Sequence, residues 1–259
     1  MKQAANINEV LEQLDTIIRW CKQQNSRIGY FAVLYKQMTM AVKNGILNNS
    51  FDDGARMELL DVIFANRYIS AWQAYTSERP CSASWCTAFD ACRNTRLIVL
   101  QHLILGINTH INLDLGIAAA ECSKPGKIQN LKNDFNKIND VISALSNQIQ
   151  EKLSSIWFPL RFLEKIANNR EDAVLNFSIA TARKTAWANA VILSGLSAAE
   201  KTGHISSMDN TVNRIAARIN KPGIGISLML KPVLVMEDKN ISNIITLLEK
   251  DNTASKMLK

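Results

Sequence analysis

Residues 102–120 read HLILGINTHINLDLGIAAA, and the fold turns on what this stretch is. His102, Gly106, His110 and Asp114 recur at every fourth position, which on an α-helix sets neighbours roughly 40° apart on one broad face. Leu103, Ile104, Leu105, Ile107, Ile111, Leu113 and Leu115 surround them and leave almost no solvent-facing side. The polar groups are therefore predicted to lie inside the protein. Burying a polar group without a partner costs roughly 2–7 kcal/mol, and a charge costs more. Asn108, Thr109 and Asn112 add to that load, so the stretch is predicted to do more than fold.

Outward from this helix, apolar residues recur at helical spacing almost everywhere and period-two alternation is scarce. The prediction is an all-α, single-domain multi-helix bundle, residues 1–259, around a buried polar central helix. Leu11, Leu14, Ile17, Ile18 and Cys21 line a first helix. Ile28, Phe31, Leu34, Tyr35 and Met38 line a second that stops near Gly45, before the turn NNSFDDG at 48–54. A third runs through Leu59, Ile63, Tyr68 and Trp72, ended by Pro80 and Ser82, and Trp85 to Cys92 leads into the central helix. Lys124, Pro125 and Gly126 break the chain. A long helix from Leu131 through Ile149 toward Trp157 follows, then one from Phe177 to Gly195. Shorter helices are expected around Val212–Ile219 and Ile241–Leu248. Residues 223–236, GIGISLMLKPVLVM, fit a Pro-interrupted helix better than a short hairpin. No repeat and no low-complexity linker divides the chain.

With 259 residues and 47% hydrophobic content the chain can bury a large core. The net charge is +7, but Lys and Arg are dispersed and form no aromatic-interleaved stripe, so no nucleic-acid partner is expected. The five cysteines are odd in number and no apolar signal region follows Met1, which favours reduced thiols and a cytoplasmic location. Cys81, Cys86 and Cys92 have spacings that match no zinc knuckle. Gln101, His102, Asn108 and His110 interrupt the best apolar run, so no membrane span is expected.

Two imidazoles and a carboxylate are ligands that Zn, Fe or Mn accept. His110 and Asp114, one turn apart, can share an ion. His102 lies two turns, about 12 Å, from His110 and reaches the same ion only on a deformed helix, or else orients a ligand by a hydrogen bond. Asp61, Asp90, Asp134 and Asp140 are the candidates for further ligands. Equally, the same groups form a closed network, with Asp114 neutralised by Arg67 or Arg183 and the remainder satisfied by Tyr68 or Trp187. Arg183 and Trp187, four residues apart, are placed to stack guanidinium on indole. Asp134 and Asn139 suit capping or inter-helix bonding, and His204, in KTGHISS at 201–207, reads as a solvated loop residue. Serine-nucleophile elbows, phosphate-cradling glycine loops and dinucleotide fingerprints are absent.

FANRYISAW at 64–72, HLILGINTHINLDLGIA at 102–118, DFNKIND at 134–140 and ARKTAWANA at 182–190 together resemble the bacterial domain of unknown function family numbered 5995. The resemblance runs roughly from Phe51 to Gly195 and is most specific over NTHINLDL. It implies a helical domain whose signature residues include Phe64, Arg67, Tyr68, His102, Gly106, Asn108, His110, Asn112, Asp114 and Asn139. A second similarity is local. Gly106, His110 and Asp114 form the GxxxHxxxD of the metal-binding helix in zinc-dependent phospholipase C and P1-type nucleases. Ala120 stands where those enzymes carry a further histidine, and no HxxxE pair exists, so a complete three-zinc cluster is not expected.

The sequence therefore favours an enzyme on a small-molecule or lipid-like substrate, with hydrolysis the favoured reaction. His102, His110 and Asp114 are the candidate catalytic residues. Arg67, Tyr68, Asn108, Asn112, Asn139, Arg183 and Trp187 are the candidate ligand-binding residues. A metal, if bound, would use His110 and Asp114, with His102 as a further ligand, and would activate water. The alternatives are a non-catalytic binder of a small ligand in the same cavity and a structural, partner-binding module.

Overall fold

Local chemistry sets the helix starts. In the computed structural model, which describes residues 1–138 and 178–250, Asn6 accepts from the Glu9 amide to open α1 (Ile7–Gln23), and Glu9 reaches back to Asn6 and Ala5. After α2 (Ile28–Leu47), Asp53 caps α3 (Gly54–Thr76) and Ser82 caps α4 (Ala83–Ala91). Asn25, Asn49 and Glu78, just past the ends of α1, α2 and α3, take left-handed φ of 48°, 52° and 54° and turn the chain. Next comes the central helix, whose parts are α5 (Val99–Thr109), a π-helical segment (His110–Leu115) and α6 (Gly116–Cys122). A 3₁₀ turn at Ile128–Leu131 leads into a helical stretch over 132–138. The later helices are α7 (Ile179–Gly195), α8 (Ala198–Asn220), α9 (Ile224–Met236) and α10 (Ile241–Glu249). No strand occurs among the described residues, so the protein is all-α.

The central helix lies in the middle of the packing. Its first half meets α2, α4 and α8, and its second half meets α3 and α7. It is the only helix among the described residues long and apolar enough to cross a membrane, at 24 residues, yet it is largely buried inside the protein as the core helix. One core gathers Leu14, Ile17 and Ile18 of α1, Tyr30 and Phe31 of α2, Ile69 of α3 and Leu103 and Leu105 of α5. A second lies at the other end, where Met57, Leu60, Leu115, Ala118, Phe135 and Ala186 meet. Gly116 allows that end to close: a Cβ there would stand 2.9 Å from the carbonyl oxygen of Ala186 on α7.

Three expectations need correction, and the Pro-interrupted helix expected over 223–236 is present. The KTGHISS segment is helical, inside α8, because Ser197 and Glu200 form a capping box that starts the helix upstream of it. His204 is accordingly half-buried and bonds through Nε2 to Asn189 Oδ1 at 3.0 Å. Trp85 to Cys92 is no mere lead-in: most of it forms a separate helix, capped by Ser82. Cys81 and Cys86 are joined by a disulfide, the turn before α4 bringing their Cα atoms to 6.1 Å, while Cys21, Cys92 and Cys122 are free. Residues 223–236 are helical from Ile224, with Pro232 inside. The expected course from Asn139 through Ile149 to Trp157 lies outside the described residues.

Candidate functional site

Asp114 is the centre of the polar arrangement. It sits in the π-helical segment, 1% exposed, and its two oxygens take three donors. Arg67 Nε of α3 donates to Oδ1 at 2.9 Å. Trp85 Nε1 of α4 donates to Oδ2 at 2.9 Å, and His110 Nδ1 lies 3.1 Å from the same oxygen. Burial alone would push the Asp114 carboxyl up, but the hydrogen bond from His110 and the charge of Arg67 hold it below its ordinary value. It is therefore a carboxylate, able only to accept. That assigns the hydrogen of His110 to Nδ1 and leaves Nε2 as the ring's basic nitrogen.

His110 is 2% exposed, and burial, partly opposed by Asp114, pulls its pKa below the usual imidazole value. The ring is neutral at pH 7. Phe64 stacks on it with centroids 3.6 Å apart, and Tyr35 meets it edge-on at 4.4 Å. Nε2 has no hydrogen-bond partner among the described residues. His110 also lines a cavity of about 100 Å³, walled by apolar residues including Phe31, Leu34, Met57, Leu60, Phe64 and Ile107. Gly106, one turn before His110, makes room for that wall: a Cβ there would come within 2.4 Å of Phe31.

Further polar residues reach the cavity from other helices. Asp61 of α3 is 6% exposed, and burial, aided by Glu58, raises its carboxyl to about 8, so it is protonated at neutral pH. Tyr35 of α2 lines the same space. Arg183 of α7 lies in the wall, its guanidinium 4.4 Å over the Phe135 ring and bonded to the Phe135 carbonyl oxygen. The expected Arg183 stack on Trp187 is thus replaced by one on Phe135, while Trp187 packs against the same ring at 5.0 Å.

The sequence candidates divide into separate places. His110, Asp114 and Arg67 come together as one constellation. Tyr68 lies beside it, 6.0 Å from the His110 ring and buried, with its hydroxyl unpartnered among the described residues. His102 stands apart: it contacts Tyr30 and feels the charge of Arg27, and burial pulls its pKa down to about 3. Asn108 donates to the Val212 carbonyl oxygen of α8 at 3.2 Å, and Asn112 donates to Asn108 Oδ1 at 3.1 Å within the central helix, so Asn108 bridges the two helices and Asn112 supports it. Asn139 lies outside the described residues. Asp134 is a structural clamp that accepts from the amides of Asp52 and Asp53 and from Arg56, and Asp90 accepts from Tyr75. Trp85 is the site residue that sequence reasoning missed.

This donor set does not suit a metal. Both Asp114 oxygens are engaged, one by a guanidinium, and His110 keeps only Nε2. Among the described residues no group of three or more His, Cys, Asp or Glu side chains is placed to ligate an ion. What the arrangement offers chemically is a base: a carboxylate fixes the tautomer and direction of an imidazole that lines an apolar cavity and whose other nitrogen has no partner among the described residues, as in the His–Asp half of a hydrolytic triad.

Fold and site together define an all-α protein with a buried carboxylate–imidazole pair on its central helix. The chain belongs to a family of unknown function, DUF5995, whose sequence profile matches residues 7–222. No curated protein and no solved structure matches it.

Proposed function

We propose that the protein is an enzyme acting on an apolar or lipid-like small molecule, with His110 as general base and hydrolysis of an ester-like bond as the reaction. The observation that carries this reading is His110 Nε2: buried, without a partner among the described residues, held by Asp114 through the opposite nitrogen and set in the wall of an apolar cavity. A base in such a place takes a proton from water as it attacks the substrate carbonyl. The same proton then passes to the departing alkoxide, giving acid and alcohol. Asp114 stays ionised and stabilises the imidazolium formed between the two steps, with Arg67 and Trp85 holding the carboxylate still. Among the described residues no serine or cysteine lines the cavity, and water is the nucleophile in this reading.

The test is turnover of p-nitrophenyl esters of two to eight acyl carbons by the full chain, compared with His110→Gln. A positioned base typically contributes 10²–10⁴-fold, so a loss of that order in the variant is expected. Equal turnover in both proteins, or none in the wild type, would overturn the hydrolase. The apolar lining also supports a non-catalytic binder, and ligand binding without turnover would select that reading instead.

A further inference from the structure

Three polar atoms near the α2–α3 wall of the cavity take no part in holding His110. Asp61 Oδ2 is buried with no hydrogen-bond partner among the described residues, and the buried hydroxyls of Tyr35 and Thr39 have no partner there but each other. Asp61 and Tyr35 line the cavity, and Thr39 lies one turn beyond Tyr35 on α2, fully buried. The Asp61 carboxyl is close enough to Tyr35 to add to the effect of burial in raising the phenol. Folding alone disfavours such a cluster, since each unmade buried hydrogen bond costs roughly 1–3 kcal/mol and native proteins keep few of them. An apolar space with a few convergent polar groups is the usual form of a small-molecule site.

Building on the general-base reading of His110, we infer that Asp61, with Tyr35 and Thr39 beside it, anchors the ligand's oxygen, and that the ligand is an uncharged molecule with an apolar body and a carbonyl group. The carbonyl oxygen accepts a hydrogen bond from the Asp61 carboxyl, and the body lies against Phe31, Leu60 and Phe64. A carbonyl offers acceptors only, so a protonated Asp61 suits it and an ionised Asp61 does not. The raised pKa supplies that protonated form at neutral pH. The charged or titratable groups bearing on Asp61 are Glu58 on its own helix, Tyr35 from α2, and His110 and Arg183 in the walls of the same cavity. An ionised ligand would also carry its desolvation cost into this apolar space.

The test is calorimetric titration of the full chain with 2-hexanone and, separately, with hexanoate, at pH 6.5 and pH 9.5. Wild type is expected to bind the ketone at pH 6.5 and to lose at least tenfold in affinity at pH 9.5. Asp61→Asn, which keeps a donor that cannot ionise, should bind equally at both pH values, and Asp61→Leu should bind at least tenfold more weakly than wild type at pH 6.5. Should the leucine variant fail to fold, the flat profile of the asparagine variant still decides. Tighter binding of hexanoate than of ketone at pH 6.5, a wild-type affinity that does not change with pH, or no ketone binding at all would overturn the inference. The ketone has no bond to hydrolyse, so ketone binding that persists in His110→Gln while ester turnover is absent from wild type would sink the hydrolase and leave the oxygen anchor standing.

Discussion

Asp114 gathers a cation, an indole and an imidazole on two oxygens, so one substitution there tests the whole constellation. Asp114→Asn keeps the volume but removes the charge and puts an NH₂ against donors. Loss of one partner of a buried ion pair costs about 3–5 kcal/mol, and because the Arg67 side chain is 29% exposed the expected loss lies at or below the lower end of that range, read by urea denaturation at pH 7. His110 makes a prediction about rate. With its pKa below the ordinary imidazole value, the neutral base persists into mild acid, so the acid limb of kcat/KM for ester turnover should fall below pH 6.5. A limb at or above 6.5 would place the catalytic base elsewhere. His110 and Asp114 were legible in the sequence because a four-residue spacing on an apolar helix needs no knowledge of the rest of the fold. Arg67 was one of two cations considered for Asp114. Trp85 left no trace, since a partner arriving from another helix carries no spacing signal, and a tryptophan in an apolar stretch reads as core. Asp61 reads in the sequence as a candidate metal ligand, whereas its protonation depends on burial, which composition does not reveal.

At the level of helices, periodicity was a sound guide wherever one face is polar. α1 and α10 began and ended close to expectation because their caps and apolar stripes agree. The π-helical segment His110–Leu115 could not be read this way. Where apolar residues surround the helix on every side, widening one turn moves no residue from an oily face to a wet one, so the pattern has no phase to interrupt. Such segments are often found at functional sites, and here one carries both the base and the residue that orients it. Deleting Asn112 should let the segment relax to an ordinary helix and rotate α6 against α7. The Gly116–Ala186 approach would then be lost along with the His110–Asp114 pairing, and ester turnover should disappear while far-UV helicity stays within a few per cent. Gly106→Ala is the milder change: Phe31 must move away from the new methyl group, at about 1–3 kcal/mol for overpacking, and the cavity should lose ligand affinity along with stability. An ester-hydrolysis rate and thermal midpoint both equal to wild type would show that Phe31 is free to yield.

For the molecule as a whole, buried titratable groups set opposing pH dependences. His102 and His110 have lowered pKa values, so the unfolded chain takes up more protons below about pH 6.5 and stability falls as pH drops. Asp114, also lowered, adds to the loss as pH falls through its folded value. Asp61, raised to about 8, and Glu237, raised to about 7 by burial, act the other way: their stabilising effect is complete below about pH 4 and is lost as pH rises through those values. Between roughly pH 4.5 and 6.5 the two kinds of group oppose one another, so the urea midpoint should change less there than in the alkaline decline above about pH 7. Asp61→Asn should reduce the alkaline decline, and an unaltered decline would mean that Asp61 ionises normally in the folded protein. A last consequence concerns how α8 finds its place. Gln101 and Asn108 of α5 donate to the carbonyl oxygens of Ile219 and Val212 on α8, at 2.9 and 3.2 Å. The two donors are seven residues apart and so are the two acceptors, in opposite chain directions. Leucine-like surfaces sliding past one another meet similar neighbours at every turn, but these amides fit like two teeth in a rack: a slip of one notch disengages both, so α8 is locked lengthwise by its polar contacts while its apolar ones supply the grip.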